Sequence, residues 1–270
     1  MKRISAAILV VLVGRGAGAQ DKKDVDKIGK DKAPVVLKKA LSEVQKKKSA
    51  AIKEVAELSA GPQKIPASTF EGILRKDFAA VKGASEVYAK GSFYLVNLGG
   101  RFDPPDQVEG QDAFAAQSYK NPSILLDELG RNSSPPQFGP DETVDGKECK
   151  ALDVVTDAAL LKQHLKEFGD RLNRSMRGMT GFAGAQIFDM KNAIDEKNTP
   201  STYHVCIGKD DLLIHRIDFV IRPKIKPGAL PAQIPLPNDM VQKIDVSFQK
   251  WDEDVAFDIP AFIKGKWGIK

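Results

Sequence analysis

The stretch from Ser201 to Ile221 constrains the fold more than any other part of this chain. It reads STYHVCI-GKDD-LLIHRIDFVI, so two runs rich in β-branched and aliphatic residues flank a short polar turn. This pattern predicts a β-hairpin. In the second run, apolar side chains occupy both alternating positions, whereas a sheet with one solvated face shows a clean alternation. The second strand is therefore predicted to be covered on both faces, or covered on one and facing a sheltered cleft on the other.

The N-terminal residues have the features of an export signal. Lys2 and Arg3 precede an apolar run, Ile4 to Val13, that is too short to span a bilayer, and Ala17-Gly18-Ala19 is a small-x-small cleavage site. Residues 1–19 are therefore predicted to be a secretory signal peptide, the alternative being a buried N-terminal helix. The sequence shows no cysteine near the cleavage site and no later run with the length of a transmembrane segment. We expect a soluble periplasmic or extracellular protein.

The charge balance gives no indication of nucleic acid binding. The chain has a formal net charge of +5, and three of its basic residues, Lys2, Arg3 and Arg15, lie in the predicted signal peptide. Nucleic acid recognition requires a dense basic stripe, which the remaining sequence does not contain.

Two cysteines, Cys149 and Cys206, lie in strand-like runs of the sequence. An even number of cysteines in an exported chain predicts a disulfide, here one that closes a loop of about 57 residues. The alternative is two separate buried thiols.

The first half of the mature chain combines one long helix with several strands. Residues 20–33 are highly charged and are predicted to be a disordered tether, and residues 34–270 are predicted to form a single domain. An apolar spacing of three to four residues predicts a helix over Val35–Ala60. Strands are predicted between Ser68 and Phe102, and a short capped helix over Asn121–Arg131.

The second half contains a helical insertion between strands. Glu142–Val155 is predicted to be a strand pair around Asp145-Gly146, and residues 156–197 a helical insertion that begins with a long amphipathic helix. The hairpin at 201–221 follows. A last hairpin is predicted from Ile244–Phe248 and Val255–Ile259. Helices combined with consecutive antiparallel strands predict an α+β fold with one antiparallel sheet.

The sequence contains few residues that indicate chemistry. It has no G-x-S-x-G, H-E-x-x-H or phosphate-loop motif. His204, Cys206 and His215 lie close together in the hairpin, but only Asp210 and Asp211 in that turn offer further ligands, so no metal and no cofactor are predicted. The protein is predicted not to be an enzyme, and a hydrolase is the weakest alternative.

The order of elements resembles a known family of exported proteins. The segments FEGILRKDF, GASEVYAKG, VDGKECKALDVV, the hairpin and IDVSFQKWDEDVAFDIP are similar to LolA/LolB-like and mycobacterial LppX-like proteins and to the RseB sensor domain. The resemblance extends over residues 35–265. It implies a curved antiparallel β-sheet, a half-barrel, wrapped over a long N-terminal helix and an inserted helical segment. It also implies an apolar cleft that binds acyl chains.

The residues predicted to line this cleft are apolar positions of the last strands; for each of them the alternative is an ordinary core position. They are Leu213, Ile217, Phe219, Val246, Phe248, Val255 and Phe257. The alternation of side chains along a strand does not determine which sheet face lines the cleft, because a one-residue change in loop length exchanges the two faces. The first functional hypothesis is a non-enzymatic protein that binds an acyl lipid or another apolar small molecule. The alternative is an envelope protein-interaction or sensing module whose cleft is filled by its own side chains, with an unidentified protein partner.

Overall fold

The computed structural model describes residues 27–60, 63–64, 66–108, 118–180, 193–229 and 240–269. The predicted signal peptide (residues 1–19) and residues 20–26 of the predicted tether lie outside the described residues.

The described residues form a curved sheet with three helices packed on one face and a short C-terminal helix on the other. The first half contains α1 (Ala33–Gln45), β1 (Ala50–Ala60), β2 (Gln63–Lys64), β3 (Ser68–Arg75), β4 (Phe78–Gly83), β5 (Glu86–Lys90), β6 (Phe93–Leu98), β7 (Arg101–Asp103) and α2 (Pro122–Arg131). The second half contains β8 (Gln137–Val144), β9 (Lys147–Val155), α3 (Ala158–Thr180), β10 (Ser201–Gly208), β11 (Ile214–Ile221), β12 (Met240–Gln249) and α4 (Ala261–Trp267).

The sheet is antiparallel and open. Its strand order is β7-β6-β5-β4-β3-β1-β12-β11-β10-β9-β8, with β2 paired only to β1. The first and last strands of the chain meet in the middle, where Val55 of β1 lies opposite Asp245 of β12. The two edge strands do not pair with each other, so the sheet is a half-barrel. The predicted α+β fold class is confirmed.

The main hydrophobic core lies on the sheet face that α1, α2 and α3 cover, here called the inner face. Val36 and Val44 of α1, Leu125 of α2, and Leu165 and Phe168 of α3 pack against it. The large inner-face residues of the sheet that are buried below these helices include Phe70, Tyr203, Phe219 and Phe248.

A second, smaller core lies on the outer face at the β3–β6 end of the sheet. There Ile259 and Ile263 from the C-terminal segment pack on Phe78 and Tyr88. Trp267 lies edge-on to Phe78, with 5.9 Å between the ring centroids. At the other end, the outer face of β9–β12 carries polar side chains.

Gly72 allows β3 and β4 to approach closely. A Cβ atom at this position would lie 1.9 Å from the carbonyl oxygen of Ala80 and 2.8 Å from Cα of Val81. Both are backbone atoms, so a side chain at residue 72 requires the two strands to separate.

The predicted helix over Val35–Ala60 is wrong in its second half. The helix ends at Gln45, and Ala50–Ala60 forms β1, a central strand of the sheet. Ala, Glu and Lys in this stretch favour a helix, but pairing with β3 on one side and β12 on the other determines the outcome.

Residues 27–33 of the predicted disordered tether are ordered against the domain. Ile28 is 6% exposed and belongs to the main core. The backbone N–H of Lys27 donates to the carbonyl of Lys209 at 2.7 Å. Buried Ile28 and the backbone hydrogen bond of Lys27 thus hold this part of the chain beside the β10–β11 turn.

The last predicted hairpin is half correct. Its first strand is part of β12, but Val255–Ile259 does not form a strand. This segment instead crosses the outer face and contributes to the second core through Val255, Phe257 and Ile259. The other two predicted hairpins are confirmed, as is the short helix at residues 122–131.

Candidate functional site

The residues predicted to line a cleft lie on two different faces of the sheet. Val255 and Phe257 are partly buried in the outer-face core. The remaining five lie on the inner face, where each is at most 7% exposed below the helices: Leu213, Ile217, Phe219, Val246 and Phe248. Their role in ligand binding remains a prediction.

A cluster of charged side chains lies buried on the inner face. The Glu128 carboxylate of α2 is fully buried and accepts from Lys120 Nζ at 2.8 Å and from the Tyr203 hydroxyl at 3.0 Å. His164 Nε2 of α3 lies 3.2 Å from the same carboxylate. Lys120 Nζ also lies 5.3 Å from the centroid of the Phe219 ring. The cluster therefore joins α2 and α3 to β10 and β11 of the sheet.

The surroundings of Glu128 stabilise its charged form. Burial alone raises the pKa of a carboxyl group, but the hydrogen bond from His164 and the positive charge of Lys120 lower the pKa of Glu128 to about 2. Burial, reinforced by the neighbouring Glu128, raises the pKa of the Tyr203 hydroxyl well above its ordinary value. The groups of this cluster bond one another below the helices, which favours a structural role over catalysis.

Asn121 fixes the start of α2. Its side-chain oxygen accepts from the N–H of Ser123 at 3.1 Å and so caps the helix. Its amide nitrogen donates to the carbonyls of Asp77 and Gly91 at 3.2 and 3.1 Å. This buried side chain therefore ties α2 to the turns that follow β3 and β5.

A cleft of about 240 Å³ lies where α1, α2 and the end of β12 meet. Its apolar walls are Leu41 and Val44 of α1, Leu74 of β3, Leu126 of α2 and the indole of Trp251. The charged and polar residues around it are Gln45, Lys47, Ser49, Lys76, Asp77, Ser123 and Asp127. It opens to solvent at one end of the half-barrel and reaches inward to the main core.

One aromatic pair connects the wall of the cleft to the main core. Trp251 stacks on Phe248 with 5.4 Å between the ring centroids and an interplanar angle of 12°. Phe248 is thus the predicted cleft residue that lies directly behind this cavity. Sequence reasoning missed Leu74, Leu126 and Trp251, because only the packing of three separate elements brings them together.

The predicted disulfide is not present, and both cysteines are free thiols. In the sheet, Cys149 lies opposite Gly208, and Cys206 lies opposite Ala151. The two cysteines are therefore diagonal neighbours, about 7–8 Å apart between Cα atoms, whereas a disulfide usually requires about 4.4–6.8 Å.

The structure also separates the histidines of the hairpin. His215 pairs with Asp211 in the turn, at 3.1 Å from Nε2 to Oδ2. His204 instead lies between Asp153 of β9 and Glu142 of β8, on the outer face. The trio of His204, Cys206 and His215 considered as metal ligands is therefore not assembled.

These features define a class of protein: an α+β half-barrel whose helices fill the inner face and leave a small apolar cleft at one end. The helices in the described part of the chain are too short or too polar to cross a membrane.

Solved structures similar to this chain include the Mycobacterium tuberculosis lipoprotein LppX, which has 12% sequence identity and a TM-score of 0.41 over 83% of this chain and 99% of that one. LprF from Mycobacterium bovis has 12% identity and a TM-score of 0.38, over 85% and 97% of the two chains. A LolA superfamily protein from Nitrosomonas europaea has 11% identity and a TM-score of 0.31, over 86% and 97%. The RseB-like protein MucB is also among the matches. The matches include the groups of proteins that the sequence resembles.

No protein-family model and no curated protein matches this chain.

Proposed function

We propose that this protein is an exported, non-enzymatic binder of an apolar chain, and that the end of a fatty acyl group occupies the cleft between α1 and α2. The observation that carries this proposal is the cleft itself, whose apolar walls open to solvent at one end and meet the core at the other.

The size of the cleft fits one chain end better than a whole lipid. Its volume of about 240 Å³ lies just below the range of about 300–1,000 Å³ typical of small-molecule sites. Burial of about eight methylene groups, at about 0.8 kcal/mol each, corresponds to a dissociation constant on the order of 10–100 µM. Two lysines and two aspartates surround the cleft. Their charges balance, so the specificity for a headgroup is expected to be weak.

Deeper binding requires α1 and α2 to move away from the sheet. The five inner-face candidates, from Leu213 to Phe248, are covered in the described structure. We infer that Phe248 is the first of them that a longer chain contacts, because it stacks directly on Trp251.

A filled interior also supports a second candidate function, that of a protein-interaction or sensing module. Such a module requires an exposed apolar surface. Phe262 is 55% exposed and stacks on Phe102 at 5.4 Å on the outer face, and Phe93 is 75% exposed. These residues are the expected contact points if the cleft binds no ligand.

Quenching of tryptophan fluorescence tests the first candidate. The chain has two tryptophans, Trp251 in the cleft and Trp267 on the outer face. In a Trp267→Phe variant, a brominated fatty acid should quench the emission of Trp251 with a saturable, micromolar dependence on concentration. In the matched Trp251→Phe variant, the same probe should leave the emission of Trp267 unchanged.

Substitutions in the cleft walls locate the binding site. In the Trp267→Phe background, Leu126→Gln should weaken binding about tenfold, because it replaces apolar contact by an amide and costs about 1.4 kcal/mol. Phe93→Gln is the matched control, since Phe93 is exposed and lies away from the cleft. Equal affinities of these two variants, or no saturable quenching of Trp251, would overturn the proposal and favour the interaction module.

A further inference from the structure

The outer face carries a cluster of metal-ligating side chains that is separate from the cleft. Glu142 of β8, His204 and Cys206 of β10 each offer one ligand atom, and these atoms all lie within 4.8 Å of one another. His204 Nε2 is 2.8 Å from Glu142 Oε1, and Cys206 Sγ is 3.5 Å from Glu142 Oε2. We propose that these three residues bind a divalent zinc ion, with solvent as the fourth ligand.

The spacing of the ligand atoms suits zinc. Zinc binds imidazole nitrogen, carboxylate oxygen and thiolate sulfur at about 2.0–2.3 Å in a tetrahedral arrangement, so neighbouring ligand atoms lie about 3.3–3.8 Å apart. His204 Nε2 and Cys206 Sγ lie 2.8 and 3.5 Å from the two different oxygens of the Glu142 carboxylate. One ligand atom from each of the three residues lies within 4.8 Å of the others, which leaves room for an ion between them. A mixed set of nitrogen, sulfur and oxygen ligands disfavours calcium and magnesium, which bind oxygen.

Asp153 supplies the supporting contact that metal-bound histidines usually have. Its Oδ1 lies 2.6 Å from Nδ1 of His204, on the opposite side of the ring from Glu142. An Nδ1–H that donates to Asp153 leaves the lone pair of Nε2 directed toward Glu142 and Cys206, where the ion would lie. The same carboxylate also fixes the orientation of the ring.

The site combines a buried thiol with a path from solvent. Cys206 is fully buried against Val144 and Cys149. The side chains of His204 and Glu142 are 26% and 30% exposed, and β8 is an edge strand of the sheet. A hydrated ion can therefore reach the carboxylate and imidazole before it displaces the proton of the thiol. Once bound, the ion would link the β8–β9 hairpin to β10.

Binding should release protons and affinity should rise with pH, because zinc binds a deprotonated thiolate and a neutral imidazole. The charged or titratable groups around the site include Glu142 on β8, Cys149 and Asp153 on β9 and Arg216 on β11.

Titration of the reduced full-length protein with Zn²⁺, followed by calorimetry, tests the proposal. We expect one ion per chain, release of protons to the buffer, and a higher melting temperature with zinc. Substitution of Co²⁺ should give a thiolate-to-cobalt charge-transfer band in the near ultraviolet. Weak zinc binding without the cobalt charge-transfer band, or no zinc binding at all, would overturn the proposal.

Single-residue variants test whether zinc binds at this site or at other acidic residues and histidines. Glu142→Gln and His204→Ala should each lower zinc affinity at least tenfold, and Asp153→Asn about 10–100-fold. The controls are His215→Ala, since His215 lies in the turn with Asp211, and Asp141→Asn, since Asp141 pairs with Lys150 and Lys209. Glu142→Gln changes a partly exposed residue, so folding should be preserved; circular dichroism checks this.

Thiol counting supplies an independent test. Alkylation of the denatured, unreduced protein should modify both Cys149 and Cys206, because both are free. A disulfide between them would occupy the Sγ atom that the site requires and would overturn the proposal. Equal zinc affinity of the Glu142→Gln variant and the His215→Ala control would also overturn it.

Discussion

Replacement of Glu128 by glutamine tests the buried charge cluster most directly. The wild-type carboxylate is fully buried and lies 2.8 Å from Lys120 Nζ, 3.0 Å from the Tyr203 hydroxyl and 3.2 Å from His164 Nε2. Glutamine keeps the shape of the side chain but removes the negative charge. The Lys120 ammonium then remains buried without its main counter-charge. Breaking a buried ion pair in this way costs about 3–5 kcal/mol.

The lowered pKa of Glu128 gives a second value for this loss of stability. The shift from 4.5 to about 2 corresponds to about 3 kcal/mol of stabilisation at neutral pH. Because the pKa is lowered in the folded state, this stabilisation is present above the unfolded-state pKa of about 4.3 and is lost as the pH falls toward 2. The stability difference between wild type and Glu128→Gln should therefore be about 3 kcal/mol at pH 7 and should shrink between pH 5 and pH 2.

Urea denaturation at a series of pH values measures this difference. The other acidic residues titrate in both proteins, so subtraction of the two stability curves isolates Glu128. Glu167→Gln is the matched control: Glu167 lies 3.8 Å from Lys120 but is 42% exposed, so its loss should cost less than about 0.5 kcal/mol. A difference below about 1 kcal/mol at pH 7, or one that does not change with pH, would refute the reasoning.

Three further predictions concern other positions. Asn121→Ala should cost about 2–4 kcal/mol in chemical denaturation, because it removes the cap of α2 and two bonds to buried turns; Ser123→Ala should have little effect. Burial, reinforced by Asp245, raises the pKa of Asp218 to about 6, so stability from this group is lost as the pH rises from about 4 through 6. Asp218→Asn should therefore lower the melting temperature less at pH 7.5 than at pH 4.5. The opposite order would contradict the raised pKa of Asp218. Gly72→Ala should cost about 3 kcal/mol or more, because its Cβ would lie 1.9 Å from the Ala80 carbonyl. The control is Gly265→Ala in α4, where an added Cβ meets no atom from outside its own helical turn within 4 Å; it should be neutral or stabilising by up to about 1 kcal/mol.

Local signals in the sequence were sufficient for the elements whose patterns are strong. The hairpin of β10 and β11 and the turn at Asp145-Gly146 follow from alternation and turn chemistry, and Asn121-Pro122 marks the start of α2. Strand β1 could not be predicted in this way, because its inner-face pattern is interrupted by Glu54. That carboxylate is fully buried and accepts from the backbone N–H of Lys120 at 2.9 Å. This partner of a charged residue at a core position lies 66 positions away in the chain, so a local pattern does not reveal it.

The candidate sites could be predicted from local sequence patterns even less than strand β1. His204 and Cys206 are visible in the sequence as possible ligands, but Glu142 joins them only through the register of β8 on β9 and of β9 on β10. The cleft similarly depends on the way in which α1 and α2 pack over β3. Residue types and spacing within one hairpin determine local structure, whereas both sites combine elements that are distant in the chain.

Helix α2 connects the buried charge cluster to the cleft, and this has a consequence for binding. Glu128 anchors one side of α2 to Lys120 and Tyr203, while Leu126, two residues earlier, forms a wall of the cleft. A change that loosens the cluster should therefore alter fatty acid affinity even though Glu128 does not line the cavity. The zinc ligands instead lie on the outer face of β8 and β10, with the sheet between them and α2. Zinc should thus leave fatty acid affinity unchanged, while Glu128→Gln should change it. Coupling of zinc to the cleft would show that the sheet, and not α2, controls access to the interior.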